Sequence, residues 1–213
     1  QVMNLKNTGK FMVKKISIFL FIITLSTQTL AVTLQSLLDN GPLLSINKTS
    51  DGVFESVMSM TVIHAPFDLV WNTIIDINNY KNYMNRVLKS KIINEDENGL
   101  SITAEFEIDA PFFNMDYTLK HILDKNGKKI DVIQVKGDLE GSKWKWEFES
   151  QDEKTLVFYS GKTINFSSFL QKFEDKSKTI SMGINIASVL ETLNNIKRQS
   201  EKIFTEEKLR NNQ

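Results

Sequence analysis

Apolar and polar residues alternate along several stretches of this chain, and turn-forming residues separate the stretches. Ile102, Ala104, Phe106 and Ile108 share one parity, with Thr103, Glu105 and Glu107 on the other. Phe113, Met115, Tyr117 and Leu119 repeat the pattern, and Trp144, Trp146 and Phe148 alternate with Lys143, Lys145, Glu147 and Glu149. Successive side chains of a strand point to opposite faces, so this period predicts strands with one apolar and one charged face. A sheet of such strands is solvated on one side and covered on the other. Upstream, Phe54, Ser56, Met58, Met60 and Val62 alternate with Glu55, Val57, Ser59 and Thr61, which predicts a first strand ending at Ala65-Pro66. Further strands are expected at 87–95, 100–109, 113–123, 130–137, 143–149 and 155–164. Glu97-Asn98-Gly99, Lys125-Asn126-Gly127 and Gln151-Asp152-Glu153-Lys154 read as the joints between them. Asn-Gly between apolar runs signals a hairpin because both residues accept positive φ.

Elsewhere the period changes to that of a helix. Pro66 can open a helix, since the first turn needs no amide hydrogen there. Phe67 to Ile75 then sets Val70, Trp71, Ile74 and Ile75 on one face. A second short helix, about 78–85, carries Tyr80, Tyr83 and Met84. Near the end, Ile180, Ile184, Ala187, Leu190, Leu193, Ile196 and Ile203 recur at three- and four-residue steps. They predict a long helix over 178–207, with Glu206 to Gln213 polar and frayed. The predicted fold is α+β: a curved seven-stranded antiparallel sheet around a long C-terminal helix, with two short helices after the first strand. Residues 32–52 read as a short helix from Leu34 to Leu38 followed by a turn at Asn40-Gly41-Pro42. This extension either covers one end of the domain or acts as a linker.

Charge changes the picture at the N-terminus. The chain of 213 residues has 26 basic and 26 acidic side chains. Residues 1–31 hold Lys6, Lys10, Lys14 and Lys15 and no acid, so the remainder is mildly acidic. An acidic body lacks the basic face that neutralises phosphates, so no nucleic-acid partner is expected. Lys14-Lys15, the apolar run Ile16 to Leu25, and small residues around Thr29 and Ala31 have the order of an export signal. About ten apolar residues fall short of the roughly 20 that span a bilayer. The expected organisation is a signal peptide at 1–31, an extension at 32–52, a ligand-binding domain at 53–207 and a polar tail at 208–213, in an exported, periplasmic or secreted protein. With no cysteine, thiolate chemistry and disulfides are excluded.

Several of these residues carry a resemblance. Ala65-Pro66, Val70-Trp71, Asp76 and Tyr80 form one group; Gly137 through Gly141 with Trp144, and Thr155-Leu156-Val157-Phe158-Tyr159, form others. Together with the long C-terminal helix they resemble the START-like (SRPBCC) superfamily, the helix-grip fold. Within it the chain looks most like the polyketide cyclase / coenzyme-Q-binding branch. The resemblance spans about residues 53–205. It implies a cavity between sheet and long helix that takes a lipid, quinone, sterol or polyketide. Export departs from the pattern, since many bacterial relatives are cytosolic.

Candidate chemistry is sparse. His64 and His121 are the only histidines and are not spaced as metal ligands, so neither a metal nor a cofactor is expected. His64 falls at a strand end; His121 shares the parity of Tyr117 and Leu119. Asp76 reads either as a helix cap or as a general base. The residues able to line a cavity are Met58, Trp71, Phe106, Phe113, Met115, Tyr117, Trp144, Trp146, Tyr159, Ile184 and Ala187. The same types fill ordinary cores, so both readings stand for each. Phe166, Phe169, Leu170 and Phe173 form a second apolar cluster, a candidate for transient membrane contact. The function expected is a carrier of a hydrophobic molecule. The alternatives are a cyclase/aromatase-type enzyme using Tyr117, His121 and Asp76, or an interaction module.

Overall fold

The alternating stretches become strands, and one more strand joins them. The computed structural model describes residues 37–39, 41–50, 52, 54–110, 113–137, 139–162 and 177–212. The strands are β1 (Leu43–Lys48), β2 (Phe54–Ile63), β3 (Val87–Glu95), β4 (Ser101–Ala110), β5 (Phe113–Asp124), β6 (Lys129–Lys136), β7 (Lys143–Gln151) and β8 (Lys154–Lys162). They form one antiparallel sheet in the order β1-β2-β8-β7-β6-β5-β4-β3. Strands β3 to β8 are a meander; β2 pairs with β8, and β1 extends the sheet beyond β2.

The eighth strand, β1, corrects the prediction of seven. It lies in the extension where only a helix and a turn were expected. Leu44 and Ile46 pack against the core opposite Ser59 and Val57. Two apolar positions are too short a period to stand out in sequence, and pairing with β2 supplies the rest.

The turns follow local chemistry. Before β4, Gly99 sits at φ 65° while the Asp96 carboxylate accepts from the amides of Leu100 and Ser101, at 2.5 and 2.9 Å. In the turn at 125–128 the left-handed residue is Lys128 (φ 49°) rather than the Asn-Gly pair. There the Asp124 carboxylate accepts from the Gly127 amide at 2.8 Å.

Three helical pieces connect β2 to β3, at opposite parts of the sheet: α1 (Phe67–Ile75), a 3-10 turn (Ile77–Asn79) and α2 (Tyr80–Tyr83). Pro66 occupies the cap position just before α1, and its carbonyl accepts from Leu69 and Val70. The long helix α3 runs Ser177–Asn211, past the predicted end at 207. The expected fraying does not begin at Glu206, because Lys208 pairs with Glu153 of the β7–β8 turn at 2.5 Å and lies over the Phe204 ring.

The C-terminal half of α3 is clamped to the end of β2. Lys197 Nζ donates to the Val62 carbonyl (2.5 Å) and to Glu201 (2.7 Å). Glu201 also accepts from the His64 amide at 2.9 Å. Val189, Leu193, Ile196 and Ser200 form the buried stripe of the helix.

The chain divides into two compact units, Gln1–Asn40 and Gly41–Gln213. The sheet and the helices above belong to the second. Of the first, residues 37–39 are helical. The apolar export run and residues 34–36 of the expected short helix lie outside the described residues.

Candidate functional site

The inner face of the sheet splits into a closed end and a looser one. At the closed end, α1 presses Phe67 and Trp71 onto Phe148 of β7, with ring centroids 5.6–6.0 Å apart. Ile63, Ile74, Ile77, Val157, Leu193 and Ile196 are fully buried around them. At the other end, Met115, Tyr117, Leu119 and Trp144 of the inner face remain half-buried, as do Met182 and Ile184 on the N-terminal half of α3. Apolar side chains line this region and stay only partly covered.

Four phenols reach toward the interior. Tyr80 and Tyr83 have structural tasks. The last carbonyls of a helix lack partners within it. The Tyr80 hydroxyl donates to the Ile74 carbonyl at 2.5 Å, and that of Tyr83 to Thr73 at 2.8 Å, so α2 seals the end of α1. Tyr117 stacks on Phe106 (5.3 Å, 18°), and Phe106 in turn meets Tyr80 at 6.0 Å. Tyr159 meets Trp146 edge-on at 4.6 Å.

Tyr117 on β5 and Tyr159 on β8 are three strand spacings apart, roughly 14 Å in a flat sheet. Yet Tyr117 and Tyr80 lie within electrostatic reach of Tyr159. The sheet must curve to bring these groups inward. Burial raises the pKa of all four phenols, and neighbouring phenols raise those of Tyr80, Tyr83 and Tyr159 further. All four stay neutral at ordinary pH.

The candidate residues of the sequence scatter over this frame. Trp71, Phe106, Trp146 and Tyr159 are buried; Met115, Tyr117, Trp144 and Ile184 are half-buried. The side chain of Phe113 lies outside the described residues. Two assignments are corrected.

Met58 is 57% exposed on the outer face. An irregularity opposite Asn47 and Lys48 leaves Glu55 as an extra residue in β2. One added residue moves every following side chain to the other face. Val57, Ser59 and Thr61 therefore turn inward, and Met58 turns out.

Ala187 is exposed too. The run Ala187, Leu190, Leu193, Ile196 advances in threes, and each step rotates about 60° short of a full turn at 3.6 residues per turn. Ala187 thus ends far from the stripe through Val189 and Leu193. Met182 and Val189, which the sequence reading passed over, are on that stripe, and their spacing of seven would have shown it.

The catalytic candidates do not assemble. Asp76 is exposed, and its carboxylate accepts from the Asn79 amide group at 2.9 and 3.1 Å instead of capping the helix. Tyr117 and His121 share the inner face of β5 but stand four residues apart, roughly 13 Å along a strand. His121 is 5% exposed, and burial holds its pKa down at about 4 against a partial offset from the Ile102 backbone. Its Nδ1 has no partner among the described residues. No group of His, Asp and Glu among the described residues is placed to hold a metal.

Two glycines shape the looser end. A Cβ on Gly161 would meet Trp144 Cδ1 at 2.5 Å, so the indole lies directly on bare backbone. Gly137 (φ 109°) brings the loop after β6 against Tyr117, where a Cβ would come within 3.0 Å of the Tyr117 Cβ. The cluster Phe166, Phe169, Leu170 and Phe173 lies outside the described residues. No helix among the described residues is long and apolar enough to cross a membrane.

Comparison with known proteins gives the fold a context. The model of the polyketide cyclase / dehydrase and lipid transport family matches residues 63–180, more than half of the chain. None of the curated proteins matches. Among solved structures, the Zhui aromatase/cyclase from Streptomyces sp. R1128 superposes with a TM-score of 0.60 at 17% identity, over 69% of this chain and 93% of that one. A START superfamily protein from Mycobacterium smegmatis gives 0.58 at 9% identity, over 70% and 99%. A STAR-related lipid transfer protein from Xanthomonas axonopodis gives 0.54 at 14% identity, over 78% and 94%. At such identities the likeness concerns the START-like fold.

Proposed function

Because this chain belongs to the polyketide cyclase / dehydrase and lipid transport family, we propose that it binds a hydrophobic small molecule between the inner sheet face and α3. The observation that carries this reading is the contrast along one face. Trp71 and Phe148 close one end, while Met115, Tyr117, Leu119 and Trp144 leave apolar surface half-covered at the other. Apolar area removed from water is worth about 25 cal/mol per Å² before association costs, so this end gains by taking a hydrophobe. A soft Met and rings with polar tips suit a ligand with a greasy body and one polar end. The role is that of a carrier, and the basic-then-apolar N-terminus supports export to a periplasmic or external compartment.

Native mass spectrometry of the purified protein tests the reading. A co-purifying hydrophobe, or uptake of added Nile red, is expected. A protein that carries nothing and takes up nothing overturns it. N-terminal sequencing of the protein recovered outside the cytoplasm should begin after Ala31; an unprocessed, cytoplasmic chain overturns export.

A cyclase-type reaction is the second reading, favoured by the aromatase/cyclase neighbour and the family description. It would have to run without Asp76, which faces solvent.

A further inference from the structure

The four phenols differ in what their hydroxyls do. Those of Tyr80 and Tyr83 are spent on the carbonyls of Ile74 and Thr73. Those of Tyr117 and Tyr159 have no hydrogen-bond partner among the described residues, although Tyr159 is only 8% exposed. Neither hydroxyl oxygen is among the fully enclosed unpartnered atoms of the described residues, so each stays open to a small donor or acceptor.

The buried polar side chains among the described residues are Ser, Thr, Asn, Gln and His121; none is Lys, Arg, Asp or Glu. Two cations of α3 are already engaged. Lys197 is held by Val62 and Glu201, and Arg198 by Asn195 and the Tyr83 carbonyl. His121 is neutral in this environment and offers no positive charge. An anionic head brought here would lose its water and gain no counter-charge from the buried side chains of the described residues, a large cost for an unpaired ion. A hydroxyl or carbonyl needs only one or two hydrogen bonds, and a phenol can donate or accept.

We infer that the interior selects ligands whose polar end is an uncharged hydroxyl or carbonyl, received by Tyr117 and Tyr159, and discriminates against carboxylate- and phosphate-headed lipids. This rests on the reading of the interior as a hydrophobic-ligand site.

The test uses the full chain and three matched probes, dodecanol, dodecanoate and dodecene, each displacing Nile red at neutral pH. Dodecanol should bind at least about tenfold more tightly than dodecanoate, because only the latter buries an unpaired charge. Tyr117→Phe and Tyr159→Phe should each weaken dodecanol about fivefold, the loss of one neutral hydrogen bond, and leave dodecene unchanged. Dodecene serves as the control for a variant that has lost its fold. Equal binding of dodecanol and dodecanoate overturns the charge discrimination and leaves the hydrophobic site standing. Dodecanol binding that neither Tyr→Phe variant alters overturns the assignment of the hydroxyls. A native chain that takes up none of the three overturns the site itself, and this inference with it.

Discussion

The two ends of the inner sheet face use the same kinds of residue to opposite effect. Around α1, Trp71 and Phe148 interlock with Ile63, Ile74 and Val157, and the half-buried Phe67, Leu69 and Ile75 pack over them. Around the far parts of β5 and β7, Met115, Tyr117, Leu119 and Trp144 stay partly uncovered. Composition does not separate these regions; the described elements that meet them do. The closed end is met by α1 and by the clamped half of α3. The open end has beside it the half of α3 that carries Met182 and Ile184. One end is the foundation, and the other is the proposed place for a ligand.

The comparison breaks most visibly by truncation. Trp71→Ala should cost about 3–5 kcal/mol in urea unfolding, whereas Met115→Ala should cost about 1 kcal/mol, because a half-covered site has less packing to lose. Equal costs would mean both ends are equally packed.

Acidification sharpens it next. His121 has a folded pKa of about 4 against an ordinary 6.5, so the unfolded chain binds the proton more readily between those values. Stability is therefore complete above the ordinary value and falls as pH drops toward the folded one, by roughly 3 kcal/mol over the whole window. Urea midpoints at successive pH values should show this slope, and His121→Phe should flatten it.

The clamp comes third. Lys197 and Glu201 side chains are only 15% and 28% exposed. Glu201→Ala removes the carboxylate that accepts from the His64 amide and one of the two acceptors of the Lys197 ammonium, for about 1–3 kcal/mol. Hydrogen exchange should rise first in the C-terminal half of α3 and at the end of β2. An increase confined to residues near Met182 would contradict the assignment of the clamped half.

The smallest effect belongs to Gly161→Ala. The added methyl displaces the half-buried Trp144 indole, so about 1 kcal/mol is expected with a shift in tryptophan emission. An unshifted emission would place the indole elsewhere.

Much of the frame was legible in the chain, because local periods carry it. The alternation of β4, β5 and β7 gave their faces correctly, since each strand keeps one unbroken period. Helix α1 was bounded by Pro66 at its start, and its apolar face was visible at helical spacing. The misplacement of Met58 came from Glu55, whose extra place in β2 shows only once β1 is paired beside it. Ala187 failed for a related reason: a run of threes looks helical but drifts around the axis.

The candidate site was less legible than the fold. Sequence marks Tyr80, Tyr83, Tyr117 and Tyr159 alike, as aromatic residues of an apolar face. Only tertiary contacts divide them into two that seal α1 and two with hydroxyls unspent among the described residues. Asp76 is similar, since its capping geometry depends on where Asn79 arrives.

By itself, the amino-acid sequence determined the strand and helix periods, the charge-free parity of the inner face and the absence of thiol chemistry, because these depend on residue type and spacing alone. The tertiary structure decided which apolar residues became solid core, which phenols were consumed as helix caps, and which way β2 and α3 were rotated. Those outcomes depend on what packs opposite each side chain, and a local period does not encode that, whether the opposing group is near, as Ile74 is to Tyr80, or distant, as Val62 is from Lys197.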